Sequence, residues 1–244
     1  MRIGKAEKTK LADISLSVLV LMAAFSLAWA GLKAPKTVPA VAPTVAAPTD
    51  IPEDAFVIVV DAGHGGPDGG ASGSAGVPEA GLNLAVARFL ADELTKDGYY
   101  VIMTRDSDNA LGGTKDEDMQ TRREIMQLEC VDLVVSIHMN KFRDRTVSGP
   151  MVFYMRGSEE GKMLAESVMY CLCEKLGRPQ RFANPEDLFV LRVPKAPSVL
   201  VECGFLSNPS DEEKLLTEEH QRLLAQAVAE GINDYAALKK SGDR

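Results

Sequence analysis

Phe56-Val57-Ile58-Val59-Val60, followed at once by Asp61-Ala62-Gly63-His64-Gly65-Gly66-Pro67-Asp68-Gly69-Gly70-Ala71, decides the fold. Five apolar residues in a row, with no polar alternation, read as a strand covered on both faces, the kind that builds parallel sheets. The glycine-rich loop ends it. Downstream, Pro78 and Glu79 stand where a helix begins, and Leu82, Val86, Phe89, Leu90 and Leu94 supply its apolar stripe. Residues 99–104 read as a second strand after Gly98, 116–129 as a helix, 133–137 as a third strand and 150–155 as a fourth. A helix follows over 158–176 and stops at Gly177-Arg178-Pro179. Residues 188–193 and 198–201 read as two more strands, and 217–238 as the closing helix. This alternation predicts an α/β fold: a mostly parallel, twisted sheet of about six strands flanked by helices on both faces.

The 244 residues are 45% hydrophobic and 25% charged, which excludes collagen, wholesale disorder and a polytopic membrane protein. The formal net charge of −8 repels phosphate backbones, and no basic patch follows residue 40, which argues against nucleic acid as a partner. Arg2, Lys5, Lys8 and Lys10 face only Glu7 in the first ten residues, and an apolar run over 14–30 follows, broken only by Ser15, Ser17 and Ser26. Such a start is an export signal. It is either cleaved after Ala30, where Ala28-Trp29-Ala30 offers small residues, or retained as a single membrane anchor. Residues 33–54 are rich in Pro, Ala, Thr and Val without a helical or strand period, so they read as an extended spacer. The organisation expected is therefore a signal peptide or membrane anchor over 1–30, a linker over 31–54 and one folded domain over 55–240. That domain acts outside the cytoplasm, and it meets a membrane only through the N-terminal segment.

Of three histidines, His64 lies just past the first strand and His138 directly follows the third, while Glu202 closes the run over 198–201. In a parallel sheet these positions share the carboxyl edge, where α/β proteins place their ligands. Glu79 opens the helix after the glycine-rich loop and borders the same edge. Two imidazoles and two carboxylates there match a catalytic zinc centre: three N and O ligands, an open position and a nearby carboxylate. Spacing alone keeps plainer readings open. A histidine after a strand is commonly a satisfied core or loop residue, and an acid such as Glu79 suits a helix N-terminus because of the dipole. The third histidine, His220, sits among Glu218, Glu219 and Arg222 and reads as solvated surface. The glycine-rich loop lacks a following Gly-Lys-Ser/Thr, and no G-x-G-x-x-G opens the helix, so it is not a phosphate loop. Its glycines instead let backbone pass close to a metal and a substrate. Cys130, Cys171, Cys173 and Cys203 show no metal-ligand spacing and read as buried free thiols.

Five blocks carry a resemblance: residues 60–71, Glu79 with Asn83-Leu84, Met103-Thr104-Arg105-Asp106-Ser107-Asp108, Ser136-Ile137-His138-Met139-Asn140, and Val201-Glu202-Cys203-Gly204-Phe205-Leu206-Ser207-Asn208. In this order and spacing the chain resembles the zinc-dependent N-acetylmuramoyl-L-alanine amidases over residues 56–238. Asp118-Met119 with Arg122, and the stretch from Glu202 to Pro209 with Leu215, look most like the spore-cortex, germination-specific branch. The resemblance implies one zinc ion per chain, with His64, Glu79 and His138 as ligands and Glu202 as the catalytic carboxylate. It implies peptidoglycan as substrate, cut at the amide between N-acetylmuramic acid and L-alanine, with a role in cortex maturation through muramic-lactam formation. Zinc would lower the pKa of bound water and polarise the carbonyl, and Glu202 would move the proton to the departing amine.

Around that centre, Asp61 could orient a histidine ligand or hold loop amides, and Asn140 could touch substrate or tie its loop. Arg105 could pair with a stem-peptide carboxylate or with Asp106 or Asp108. Two other classes stay open: a different exported zinc peptidase or amidohydrolase, and a non-catalytic wall-binding module. Need for an activator protein is left open as well.

Overall fold

The structure, a computed structural model, describes residues 45–242. The export segment predicted over 1–30 and the spacer up to residue 44 lie outside the described residues. No helix among the described residues is long and apolar enough to cross a membrane. The elements are β1 (Val57–Ala62), α1 (Glu79–Lys96), β2 (Tyr100–Met103), α2 (Lys115–Met126), β3 (Leu133–Asn140), β4 (Met151–Met155), α3 (Glu159–Lys175), β5 (Asn184–Glu186), α4 (Phe189–Arg192), β6 (Ser198–Phe205), α5 (Pro209–Leu215) and α6 (Glu218–Gly242). The strands form one sheet in the order β2-β1-β3-β6-β4-β5. Only the β4–β6 pair is antiparallel. The α/β reading, with a mostly parallel sheet of six strands, is what the chain adopts.

Side-chain alternation along the strands sorts residues onto two faces. Ile58, Val60 and Ala62 of β1, Leu133, Val135, Ile137 and Met139 of β3, and Val199, Val201 and Cys203 of β6 join one apolar cluster with α1, α3 and α6. Val59, Val134 and Leu200 point the other way, into a smaller cluster with Ile125 and Met126 of α2 and Val190 and Leu191 of α4. Helices therefore cover both faces, which is why β1 is buried at every position. By the same parity Asp61, Ser136, His138 and Glu202 all emerge on the smaller cluster's face. The register pairs Asp61 with Ser136 and His138 with Glu202. One face, at one edge, collects the polar chemistry.

Three expectations are corrected. Residues 188–193 are not a strand: Leu188 precedes the single-turn helix α4, and the edge strand is β5, Asn184–Glu186. A short apolar run does not declare its period, and it can serve a helical turn that buries Val190 and Leu191 as well as a strand. Pro185 suits the edge position because an outer strand need not donate on its free side. β3 and β6 run on to Asn140 and Phe205, so His138 and Glu202 lie within the strands and not past their ends. A further helix, α5, precedes the last one. Its start is an Asn208 cap whose Oδ1 accepts from the amides of Ser210 and Asp211, with Pro209 at the first helical position.

The larger cluster depends on a close approach of α3 and α6 at Gly231. A Cβ placed there would stand 2.4 Å from Val168 Cα and 2.8 Å from its nitrogen. Alanine gains about 1 kcal/mol of helix propensity over glycine, but a clash with backbone cannot be relieved by a rotamer change and overpacking costs about 1–3 kcal/mol. We predict that Gly231→Ala lowers the urea midpoint; a raised midpoint would show that the two helices can part freely.

Candidate metal centre

The loop after β1 is held by two buried guanidinium groups. Arg105, 3% exposed, donates from Nε to the Ala62 carbonyl (2.9 Å) and from Nη2 to the carbonyls of Gly63 (2.9 Å) and Ala80 (2.8 Å). Arg122, 2% exposed, donates to the carbonyls of Ala62 (2.9 Å) and His64 (2.5 Å). Three consecutive carbonyls are thus gathered on one side, and His64 is left in the left-handed region at φ 61°. That conformation costs a non-glycine residue about 1 kcal/mol and turns its ring toward the sheet edge. Asp68 completes the turn: its amide and the Gly65 amide each donate to the other residue's carbonyl, and its Oδ1 lies 3.1 Å from His64 Nδ1.

Glu79 Oε1 is the point of convergence. It lies 3.4 Å from His64 Nε2 and 2.9 Å from His138 Nδ1, and it accepts from Asn83 Nδ2 (3.1 Å) and the Met139 amide (3.2 Å). Oε2 accepts from the Ala71 amide at 2.9 Å. The two imidazoles meet edge to face, ring centres 5.1 Å apart. One ligand atom from each of His64, Glu79 and His138 lies within 4.8 Å of the others, a grouping that could hold a metal ion. Tetrahedral ligands about 2.1 Å from zinc stand roughly 3.4 Å apart, which the His64–Glu79 separation matches and the His138–Glu79 separation, at 2.9 Å, falls short of. Glycines make the room. A Cβ at Gly63 would fall 2.2 Å from the His138 ring, and one at Gly70 would fall 2.6 Å from Glu79 Oε2 and 2.7 Å from His64.

The two carboxylates at this centre are driven apart in acidity. Burial opposes ionisation of Glu79, but hydrogen bonds from His138 and His64, their charge and the Ala71 amide hold its carboxyl well below the usual range. Glu202 has no such donors. Burial and the nearby Glu79 charge outweigh the attraction of the histidines and push it up to about 7. Its Oε2 is buried without a hydrogen-bond partner. His64 is raised, first by its hydrogen bond with Glu79 and against burial.

The sequence pattern described as N-acetylmuramoyl-L-alanine amidase matches residues 58–234. The chain belongs to that family. A germination-specific N-acetylmuramoyl-L-alanine amidase of Bacillus subtilis is 34% identical over 201 residues, 79% of this chain and 84% of the relative. An uncharacterised B. subtilis protein, YqiI, is 33% identical over 186 residues, 75% of this chain and 86% of its own. Among solved structures, the CwlD amidase from Clostridioides difficile in complex with the GerS lipoprotein superposes with a TM-score of 0.72 at 31% identity, covering 75% of this chain and 99% of that one. The catalytic domain of CwlV, an amidase from Bacillus (Paenibacillus) polymyxa var. colistinus, gives 0.67 at 30%, covering 75% and 98%.

In this amidase the surrounding residues do not all sit where spacing suggested. Asp61 touches neither histidine. It accepts from Thr104 Oγ1 (2.8 Å) and Ser136 Oγ (2.5 Å) and pairs with Arg122, so it acts on His64 through that arginine. Arg105 makes no ion pair with Asp106 or Asp108; the loop carbonyls and the Ser107 carbonyl accept its hydrogen bonds. Asn140 ties its loop: Oδ1 accepts from the Lys141 amide (2.8 Å) and its carbonyl from the Leu206 amide (2.8 Å). His220 is half-buried, and Cys130 is half-buried where the other three cysteines are buried. Asp68, Asn83 and Arg122 carry more of the centre than their spacing announced. Asn83 was the findable one, at i+4 from Glu79 on one helix face.

Burial disfavours the charged form of Asp61, yet Arg122, Ser136, His138 and Thr104 together hold its carboxyl below the ordinary value. Its stabilisation is therefore complete at neutral pH and lost only as pH falls below the unfolded carboxylate's range of about 4. Asp61→Asn leaves a buried guanidinium short of a counter-charge and is predicted to cost about 3 kcal/mol near pH 7. Urea denaturation at pH 7 reads this, and an unmoved midpoint would show that Asp118 alone satisfies Arg122.

Proposed function

We propose that this protein is an exported peptidoglycan amidase that holds zinc on His64, Glu79 and His138 and uses Glu202 as its proton-transfer group. The scissile bond is the amide between the lactyl group of N-acetylmuramic acid and L-alanine of the stem peptide. The single observation that supports this most is the meeting of both histidines on Glu79 Oε1 while Glu202 lies beside His138 in register. The donor set, two nitrogens and one carboxylate oxygen, fits zinc, and a glycine stands where any side chain would collide with two of the ligands. When bound, zinc supplies a Lewis acid for the amide carbonyl and makes water acidic enough to attack near neutral pH.

The protein's own groups do the rest. Asp68 holds His64 Nδ1 and so presents Nε2 to the centre, fixing tautomer and ring together. Glu79, ionised throughout the physiological range, supplies the negative ligand. Glu202, near 7, takes a proton from the attacking water and returns it to the alanine amine as the bond breaks. The folded unit of the proposal is 55–240, behind an export segment over 1–30 and a linker over 31–54, so that the reaction takes place outside the cytoplasm. Similarity to a germination-specific enzyme supports the spore cortex as the setting of that reaction.

Zinc content and product identity test the reading. Wild-type chain is expected to carry about one zinc and to release peptides that begin with free L-alanine from purified peptidoglycan; other cut sites would make it a different zinc peptidase. His64→Ala, Glu79→Ala and His138→Ala are each expected to abolish zinc in metal analysis, and undiminished zinc refutes the ligand set. Glu202→Gln is expected to keep fold and zinc while losing about 10²–10⁴-fold in turnover. Residual activity within a few-fold of wild type would remove Glu202 from the mechanism. The CwlD enzyme was solved with a lipoprotein bound, and activity of the purified chain alone shows whether this one requires a partner.

A further inference from the structure

Resting on that reading, we propose that Lys115 is a specificity-determining residue that receives the free carboxylate of the stem residue following L-alanine. The groove beside the metal centre, about 520 Å³, is lined by His64 and His138, by Lys115 and by the apolar Met119, Phe189 and Val190. Two permanent cations line it, Arg122 and Lys115. Arg122 is spent: Nε holds Asp118, Nη1 holds Asp61 and the Ala62 carbonyl, and Nη2 holds the His64 carbonyl. The groove's other acids are spent with it. Asp61 and Asp118 both face that same guanidinium, while Asp68 divides its two oxygens between His64 and Lys115.

Lys115 is different. Its side chain is 77% exposed, and its ammonium stands 3.4 Å from Asp68 Oδ2, which leaves donors for an arriving anion. Its place is fixed by the start of α2, where Thr114 Oγ1 accepts from the Glu117 amide (3.2 Å) and the Glu117 carboxylate accepts from the Thr114 amide (3.0 Å). Helix stability does not account for a lysine there, because a cation at the first helical position opposes the dipole that Asp116, Glu117 and Asp118 favour. Distance fits as well. The ammonium lies two contacts from the metal-facing imidazole, through Asp68. A carboxylate on the second stem residue lies about 7 Å along an extended chain from the scissile nitrogen. The groove then selects stems that carry a free carboxylate at that position over stems amidated there.

The test uses the full zinc-loaded chain and two soluble muropeptides, identical except that the second stem residue is a free acid in one and an amide in the other. Wild type is expected to favour the free acid about five-fold in kcat/KM, through KM, with the preference shrinking as salt rises. Lys115→Met is expected to bring that ratio to about one, Lys115→Glu to invert it, and Lys115→Arg to restore it. Equal loss on both substrates, or reduced zinc affinity in Lys115→Met, would assign the lysine to supporting Asp68 and His64 and overturn the proposal. So would a wild-type ratio of one. Equilibrium binding of both peptides to Glu202→Gln, with and without Lys115→Met, scores the preference without turnover. If no muramyl amide is cleaved, the amidase reading fails while the carboxylate preference is still judged.

Discussion

A carboxylate buried at the rim of a sheet between two imidazoles is the constraint around which this protein is organised. Glu79 is 3% exposed, and a buried carboxylate is tolerated only where donors and positive charge surround it. The chain supplies them from three separate stretches: the Ala71 amide and His64 from the loop after β1, Asn83 from the next turn of α1, and His138 with the Met139 amide from β3. Each of those stretches must arrive in register for any of the others to be satisfied. Glycines at 63 and 70 follow from this crowding, since a methyl group at either would enter the ring or carboxylate it packs on. The geometry of this cluster and the local fold are thus the same fact.

Strand parity explains why Glu202 differs from Glu79 although both border one centre. On β6 the odd residues 199, 201 and 203 enter the larger cluster and Leu200 enters the smaller one, which sends Glu202 out beside His138. That position is buried enough to desolvate a carboxyl, yet no amide or side-chain donor comes with it. The resulting acidity near 7 is a product of what the neighbourhood omits. Cys203, one residue on, faces the opposite cluster and is buried there, so burial, with the Glu202 and Glu79 charges, pushes its thiol well above the usual range, and it takes no part at the rim.

Much of this was legible in the sequence because it depends on period and position. A run such as 56–60 can be covered only from both faces, and residues that follow such runs share one edge whatever the loops between them do. His64, His138 and Glu202 follow from that ground, and Glu79 from its place at the start of the helix after the glycine-rich loop. Arg105 and Arg122 were not readable in the same way. Nearby Asp106 and Asp108 suggested a local ion pair for Arg105, but two of its partners are carbonyls some forty residues upstream, which the parallel pairing of β1 and β2 brings within reach. Residues 188–193 failed for a related reason: a short apolar stretch serves a strand or a helical turn equally, and packing beneath α2 selected the turn.

The two arginines also explain how a strained residue is held at the candidate metal centre. His64 at positive φ would relax if its loop were free, and an imidazole that wanders by an ångström is a poor ligand. Fixing the carbonyls of Ala62, Gly63 and His64 to buried, already paired guanidinium groups removes that freedom before any metal or substrate arrives. Their charge cannot then serve recognition. Each guanidinium is buried and commits four of its five N–H groups to the loop and its neighbours, so positive charge for binding comes from a side chain left in water. In this groove the division is complete: the buried cations hold the architecture of the centre, and the exposed one, at the first turn of α2, faces what enters.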